Sequence, residues 1–282
     1  MEVSKEKKIN NYINPRLNIK PDIKIDKSSL CIRITLIALI ALTILGFISF
    51  DYKNINFFQS VLDTLSNIKE MFLHASLVHF DFKYALKSIT TTFALSFITT
   101  FIGVLLALVI SIFAAKNLTN IYISNFIKVV VSFIRAVPTV LWVLIFAVTV
   151  GLGSEAAILG MLFHTVAYLT KAYSESFEEL DNGIIEALKS SGASFWQIIF
   201  QGVLPSSLRY IVVWTFLRFE INFTNAVAIG AVAGAGGIGF ELFMASSYYF
   251  STREVGFITI MIVLFAIVLE TTSTKIKKRL IQ

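Results

Sequence analysis

Residues 178–205 read EELDNGIIEALKSSGASFWQIIFQGVLP and form a polar, acidic island between strongly apolar segments. One of these segments, residues 88–115, carries no charged side chain. A bilayer core of about 30 Å needs about 20 apolar helical residues, so this segment is long enough to cross it. Of the 282 residues, 56% are hydrophobic. A soluble domain of this size is nearer half apolar, and its apolar runs are shorter. The sequence therefore predicts an all-α, polytopic membrane helical bundle.

About six apolar segments are candidate transmembrane helices. They are Leu30–Phe50, Ser88–Ala115, Ile127–Val150, Ala156–Thr170, Leu208–Gly230 and Val255–Ser273. Proline lacks a backbone N–H and clashes with the preceding helical turn, so Pro138 predicts a kink or an interruption of the third segment. Whether such a kink acts as a hinge or only serves packing stays open at this stage.

Lysine and arginine cluster near both ends of the chain. The N-terminal group is Lys5, Lys7, Lys8, Arg16, Lys20, Lys24 and Lys27, and the C-terminal group is Lys275, Lys277, Lys278 and Arg279. Cytoplasmic segments of membrane proteins carry an excess of these residues, so both termini are expected in the cytoplasm. Six spans then place the acidic island inside and residues 51–87 outside. Apolar spacing over residues 57–72 predicts an amphipathic helix in that outer segment.

The island itself is expected to fold into two short helices joined at Gly192. Asp181 is a candidate N-cap of the first helix, and glycine suits the left-handed position that ends it. Ser194 and Gln197 form a capping-box pattern at the start of the second helix. Pro205 is expected to sharpen the entry into the fifth span. The aromatic residues of the second helix need cover, either from their own bundle or from a partner.

A Glu-Ala pair, a glycine and a Leu-Pro pair within the island keep a recognisable spacing. This pattern resembles the cytoplasmic "EAA" loop of ABC-importer permeases: Glu-Ala-Ala, three residues, Gly, nine residues, Ile, one residue, Leu-Pro. Leu188 replaces the second Ala, and Gly202 replaces the Ile. The resemblance implies docking of a separate ATPase on Glu186, Ala187, Gly192, Leu204 and Pro205.

Three further stretches resemble the permease subunit of phosphonate ABC importers, within a similarity that runs from about residue 87 to residue 279. They are RAVPT at 135–139, RFEIN at 218–222 and GAGGIGFEL at 234–242. The resemblance implies a type I permease fold and a homodimer that works with two ABC ATPase subunits and an external phosphonate-binding protein. It also implies import of phosphonate or a related phosphorus oxyanion such as phosphite. ATP and Mg²⁺ would be bound by the partner ATPase.

The expected organisation follows from the spans and the resemblance together. It comprises a basic cytoplasmic segment (1–29), the first span with an external amphipathic segment (30–86), a permease core (87–274) with the cytoplasmic loop 175–206, and a basic tail (275–282). The expected location is the cytoplasmic membrane. The net charge of +6 is assigned to orientation in the lipid bilayer and not to nucleic-acid binding.

Charged and glycine-rich residues inside the core mark a candidate translocation pathway or gate. They are Arg135, Pro138, Arg218, Glu220, Gly234, Gly236, Gly237 and Gly239. A charge in a bilayer is costly, so the arginines either pair with other helices or line the route of an anion. The glycine run contains G-x-G-x-x-G, but no βαβ unit surrounds it, and a gate or an ordinary turn is expected instead of a dinucleotide site.

Other functions are weighed against this one. An ABC permease for another small solute, and an ion-coupled secondary transporter that uses the intramembrane charges for H⁺ or Na⁺, both stay open. An enzyme is disfavoured, because the sequence holds no Walker A motif, catalytic triad or metal cluster. The single cysteine, Cys31, excludes an internal disulfide. No catalytic residue, metal site or cofactor is therefore expected in this chain.

Overall fold

The computed structural model describes residues 27–49 and 56–281, and the described residues are almost entirely helical. The helices are α1 Lys27–Ser49, α2 Phe57–Leu73, α3 Phe82–Ala114, α4 Ile121–Ala136, α5 Thr139–Val150, α6 Ser154–Glu178, α7 Asn182–Ser190, α8 Phe195–Ala233, α9 Gly237–Phe243 and α10 Thr252–Ile281. π-Helical turns occupy Ile198–Val203 within α8 and Met244–Tyr248 after α9. The all-α prediction is confirmed. The predicted basic cluster before Lys27, and Phe50 of the first predicted span, lie outside the described residues.

The chain divides into two units, Met1–Ser60 and Val61–Gln282. The first unit contains α1, a 23-residue apolar helix in which no residue is buried. A helix that is apolar all round and uncovered by protein is suited to a bilayer, where its backbone groups are satisfied internally. The second unit contains the helices that form the core.

Four of the described helices are long and apolar enough to cross a membrane, namely α1, α3, α8 and α10. The pair α4 and α5 could supply a fifth crossing, but the two helices meet at 90°. The break falls at Val137 and Pro138, so the predicted interruption of the third span by Pro138 is confirmed. The predicted count of six is therefore higher than the four or five crossings that length and apolarity support in this part of the chain.

The missing crossing is the predicted Ala156–Thr170 span, which lies within α6. This helix has 25 residues, but it is less apolar than the others, and about half of its residues are buried by protein. A helix inside a bundle faces other helices instead of lipid, so small and polar residues can replace apolar ones. Apolarity is therefore a poor guide to a helix at the centre of the bundle.

α3 and α6 pack closely because small residues line their contact. The buried face of α3 repeats roughly every four residues: Ser88, Thr92, Ser96, Thr99, Gly103, Ala107 and Ser111. At Gly103 an added Cβ would lie 2.6 Å from Thr165 Cγ2, so only glycine fits at that crossing. Small residues at i and i+4 are typical of helices that approach closely in membranes.

Capping residues explain why two helices begin earlier than the hydrophobic pattern suggests. Asp81 accepts a hydrogen bond from the Tyr84 backbone N–H at 2.9 Å and starts α3. Asn120 accepts one from the Tyr122 N–H at 2.9 Å and starts α4. An N-cap oxygen satisfies a backbone donor that the helix leaves free, so polar residues outside the apolar run set the boundary.

The glycine-rich run forms a tight connection between α8 and α9. Gly234, Gly236 and Gly237 all have positive φ values, of 61°, 74° and 74°. A Cβ at Gly239 would collide with the backbone of Val227, so α9 lies directly against α8. The run is thus a turn that brings a short helix back onto the bundle, and the absence of strands in the described chain agrees with rejection of the dinucleotide motif.

Candidate functional site

The first candidate site is the acidic loop (residues 178–205), and its local fold follows its sequence. Asp181 Oδ1 accepts a hydrogen bond from the Gly183 N–H at 2.9 Å and caps α7. Gly192 has φ +81°, the left-handed conformation expected at the junction. Ser194 and Gln197 form both halves of the predicted capping box, with Gln197 Oε1 accepting from the Ser194 N–H at 2.7 Å. The two-helix elbow is therefore confirmed up to this point.

Pro205 lies at the predicted entry into the fifth span, in the first turn of the α-helical stretch Leu204–Ala233, but no separate bend marks this entry. The second helix of the loop continues without a break as α8, from Phe195 to Ala233. A proline ring would clash with the carbonyl four residues earlier in a regular α-helix. The π-helical turn Ile198–Val203 precedes Pro205, and such turns re-arrange the backbone hydrogen bonds where a regular helix is disturbed.

The base of the acidic loop is anchored to the segment between α3 and α4. Glu178 Oε1 accepts hydrogen bonds from the Lys116 N–H at 2.7 Å and from Lys128 Nζ at 2.6 Å. Asn117 Nδ2 donates to the Phe177 carbonyl at 2.7 Å. Since α3 and α6 end near this point and α4 begins there, a force on the loop reaches three helices of the bundle.

The apolar side chains of the loop divide into a covered set and an uncovered set. Ile185, Ile198 and Ile199 are buried in one core cluster with residues of α3 and α6. Phe195, Trp196 and Phe200 are exposed by 38%, 52% and 63%. The isoleucines of this helix are thus covered by the chain's own bundle, as one alternative expected. Its aromatic side chains are left uncovered by the bundle, as the other alternative expected.

The predicted docking residues have different surroundings. Glu186, Ala187 and Gly192 are exposed on the surface of the elbow, as is Pro205, whereas Leu204 is half-buried against the core cluster. The exposed members lie next to the uncovered aromatic residues in the chain. The acidic loop therefore exposes a carboxylate, small residues and aromatic rings.

The two departures from the family pattern lie against each other. An added Cβ at Gly202 would lie 2.6 Å from Leu188 Cδ1. Where the pattern has a small alanine and a large isoleucine, this chain has a large leucine and a glycine. The larger side chain has moved from one helix to the other, and the volume between α7 and α8 is filled from the opposite side.

A second candidate site lies near mid-height of the bundle, around Arg218. This side chain is 1% exposed. Its Nε and Nη2 atoms lie 3.1 and 3.0 Å from Thr165 Oγ1, and Nη2 lies 3.1 Å from His164 Nδ1. Asn222 Nδ2 joins the network by donating to Thr100 Oγ1 at 2.8 Å. This contact makes His164 a hydrogen-bonded member of the same network.

Arg135 approaches the same site from the bend between α4 and α5. The guanidinium carbons of Arg135 and Arg218 lie 5.7 and 5.0 Å from the centre of the Tyr168 ring. Aromatic faces attract cations, so one ring serves both arginines. No ion pair among the described residues includes either arginine. Two positive charges are therefore held by neutral groups.

The structure separates the other predicted pathway residues from this arginine site. Glu220 Oε1 lies 3.1 Å from Lys277 Nζ, and the pair links α8 to α10. Glu220 therefore pairs with a residue other than Arg218. The glycine run lies further along the chain, where Ile238 N donates to Thr92 Oγ1 at 2.9 Å. Three different places thus hold the residues that the sequence grouped as one pathway.

Sequence reasoning missed the neutral groups around Arg218. Thr165 and Tyr168 contact its guanidinium, and Asn222 and Thr100 extend the network from Thr165. A polar residue in an apolar segment is a signal, but Ser and Thr are so common on α3 that this signal does not single out Thr100. Their convergence depends on the packing of three helices. Among the described residues, no group of three or more His, Cys, Asp or Glu side chains could hold a metal ion.

Comparison with known proteins identifies the family. Residues 107–280 match the family model described as "Binding-protein-dependent transport system inner membrane component". This match covers more than half of the chain. The chain belongs to this family. It is accordingly a multi-pass membrane protein and a transport component, not an enzyme.

Individual proteins give the same result. The chain is similar to the phosphite transport system permease protein PtxC of Stutzerimonas stutzeri, with 30% identity over 68% of this chain and 70% of that protein. It is also similar to the phosphate-import permease protein PhnE of Mycolicibacterium smegmatis, with 31% identity over 67% of this chain but only 36% of that protein.

A solved structure confirms the fold. The inward-facing MetNI methionine ABC transporter aligns with a TM-score of 0.63, over 69% of this chain and 95% of the aligned chain. The identity is 18%, so this likeness concerns the fold alone. This chain therefore has the fold of an ABC-importer permease, as the resemblance implied.

Proposed function

We propose that this chain is the membrane-spanning subunit of an ATP-driven importer for phosphonate or a related phosphorus oxyanion such as phosphite. The relatives support the substrate class, because one is named for phosphite transport and another for phosphate import. Within the chain, the observation that carries the proposal is Arg218, a fully buried cation whose contacts are neutral.

An uncompensated arginine in a membrane protein is costly, and such residues mark substrate or ion pathways more often than they serve stability. Two of them around Tyr168 create a positive potential near mid-height of the bundle. A positive potential in a low-dielectric setting attracts an anion strongly. At this level, the negative charge of a phosphorus oxyanion would be balanced by the two arginines, whose positions the fold already fixes.

The proposed orientation places both termini and the acidic loop in the cytoplasm. There, Glu186, Ala187, Gly192 and Pro205 would dock onto an ABC ATPase dimer, which would bind ATP and Mg²⁺. A second copy of this chain would complete the pathway, and an external phosphonate-binding protein would deliver substrate. The loop would dock differently to the two states of the ATPase, and that difference would supply the free energy of coupling.

Co-purification tests the coupling role. Cells would express the chain with its ATPase, and the complex would be isolated through a tag on the chain. The double variant Glu186→Arg, Gly192→Pro reverses a surface charge and removes the positive φ at the junction, so the ATPase is expected to be lost. The control variant Glu155→Arg reverses an exposed charge at the other end of α6 and is expected to retain the ATPase.

Transport measurement completes the test. Proteoliposomes that contain the chain, the ATPase and the binding protein are expected to accumulate radiolabelled phosphite or methylphosphonate only with ATP. Uptake that persists without the ATPase, and that stops when the proton gradient is dissipated, would contradict the proposal and favour an ion-coupled carrier.

A further inference from the structure

A polar cavity of about 380 Å³ lies at the end of the bundle opposite the acidic loop. It is lined by His79, Phe80, Asp81, Tyr84, Glu241 and Tyr249. The cavity adjoins the first turn of α3, whereas Lys116, just after the last turn, contacts the base of the acidic loop. At 1.5 Å per residue, the 33 residues of α3 separate these two places by about 50 Å.

Aromatic rings form much of the cavity wall. The rings of His79 and Tyr249 are stacked, with centroids 3.9 Å apart and an angle of 8° between the planes. The rings of Phe80 and Tyr84 lie 6.0 Å apart. The faces of such rings carry negative potential and attract cations. Among the described residues, the two arginine–ring contacts are both on Tyr168. At this cavity the His79 imidazole, paired with Glu254, already covers one face of Tyr249, so Phe80 and Tyr84 are the rings that no described cation covers.

Glu241 supplies a carboxylate to this cavity. It is 8% exposed, and the Tyr84 hydroxyl is its hydrogen-bond partner. Burial raises the pKa of the Glu241 carboxyl, and the Tyr84 hydrogen bond opposes that rise. None of the ion pairs between described residues includes Glu241. A buried carboxylate without a counter-charge is costly, so a cation beside Glu241 would stabilise its ionised form.

The neighbouring carboxylate Glu254 shows what a satisfied group looks like. Its Oε1 accepts from the N–H groups of Val78 and His79 at 2.9 and 2.7 Å, and its Oε2 lies 2.6 Å from His79 Nδ1. Glu254 therefore holds the wall of the cavity in place, while Glu241 faces the cavity with a single neutral partner. Asp81 adds a second, exposed carboxylate at the rim, although it also caps α3.

We propose that this cavity binds the ammonium group of a small organic amine. Carboxylates beside aromatic faces are the combination that recognises alkylated ammonium groups. The volume is many times the roughly 30 Å³ share of one water molecule, so it accommodates a group of several heavy atoms. A bare metal ion fits poorly, because no three metal-ligating side chains converge among the described residues and half of the lining residues are Phe or Tyr.

A bound amine would join three separate segments: the start of α3 with the loop before it, α9, and the residues before α10. A ligand stabilises the conformation in which its contacts are assembled. Occupancy would therefore favour the arrangement seen here, in which α9 and the glycine run lie against α3 and α8. The proposal does not depend on the identity of the transported solute.

Calorimetric titration of the full chain in nanodiscs with tetramethylammonium and with ethanolamine tests the proposal. Saturable binding of at least one amine is expected. Glu241→Gln is expected to weaken it by about tenfold to a hundredfold, the range for a lost hydrogen bond or contact with a charged group. Tyr249→Leu is expected to weaken it by roughly twofold to thirtyfold, while Tyr249→Phe keeps the ring and the affinity. The control Glu155→Gln is expected to bind as the native chain does.

Circular dichroism and thermal unfolding establish that each variant is folded. If Glu241→Gln does not fold, the Tyr249→Leu and Tyr249→Phe pair decides, because Tyr249 is 37% exposed and tolerates substitution. The proposal is overturned if neither amine binds saturably at millimolar concentration, or if both Tyr249 variants bind alike. Binding of a lysine-rich peptide in the absence of amine binding would also overturn it, since the site would then serve a protein partner.

Discussion

Arg218 illustrates at the residue scale how stability and function diverge in this chain. Among the described residues, it is the largest fully buried side chain, yet it carries a charge. A threonine, a histidine and an aromatic ring contact it. Replacing buried charged groups by apolar groups of similar volume is often neutral or stabilising. A residue kept despite that cost is expected to serve transport.

The substitution Arg218→Met tests this reading. Thr165, Asn222 and Thr100 remain hydrogen-bonded to each other without the guanidinium, and of the groups that contact it only the half-buried His164 Nδ1 loses a partner. The free energy of unfolding is expected to stay equal or to rise by about 1–4 kcal/mol. Uptake of radiolabelled phosphite is expected to fall by at least about tenfold, which corresponds to about 1.4 kcal/mol.

Thermal unfolding in detergent and uptake in proteoliposomes measure the two effects on the same preparation. The control Lys277→Met changes a cation of the bundle that is paired with Glu220 instead of facing neutral groups. It is expected to lower stability, because a half-buried carboxylate loses its partner. An Arg218→Met chain that transports normally would remove this arginine from the mechanism.

The acidic loop shows, at the scale of the element, which features a sequence can predict. Its caps, its positive-φ glycine and its two-helix form depend on neighbours within three or four residues, and all were predictable. The π-helical turn before Pro205 was not, since it depends on how α8 packs onto α7 and the core. The neutral network around Arg218 was likewise hidden, because three helices must meet before those side chains come together.

The contact between Leu188 and Gly202 yields a prediction about the loop. Gly202→Ile restores the family residue but forces a side chain into space that Leu188 occupies, and overpacking costs about 1–3 kcal/mol. Leu188→Ala alone leaves a gap and is also expected to destabilise the loop. The double variant restores the family pattern at both positions and is expected to recover most of the loss.

A double-mutant cycle on thermal stability measures this compensation. The coupling energy is expected to be favourable and about 0.5–3 kcal/mol, the range for residues in contact. If the two single changes in stability simply add in the double variant, the two positions are independent. The claim that side-chain volume is exchanged between α7 and α8 would then be wrong.

The fold of the whole molecule follows from long apolar segments and the residues that interrupt them. Composition alone predicts a helical membrane bundle, and Pro138 marks its sharpest bend. The predicted count of crossings was less accurate. About half of the α6 residues are buried against neighbouring helices instead of lipid, so the apolarity of this helix does not reveal a crossing. The two ends of the bundle differ, with an elbow of exposed aromatic residues at one end and a polar cavity beside Glu241 at the other.

Cysteine labelling in right-side-out membrane vesicles tests most directly whether the acidic loop faces the cytoplasm. Cys31 is the chain's single cysteine, so Cys31→Ser gives a background into which Trp196→Cys or Tyr248→Cys is introduced. Both positions are well exposed and lie at opposite ends of the bundle. A membrane-impermeant maleimide is expected to label position 248 in intact vesicles and position 196 only after permeabilisation. Labelling of position 196 in intact vesicles would contradict the account, because the ATPase could not reach the loop.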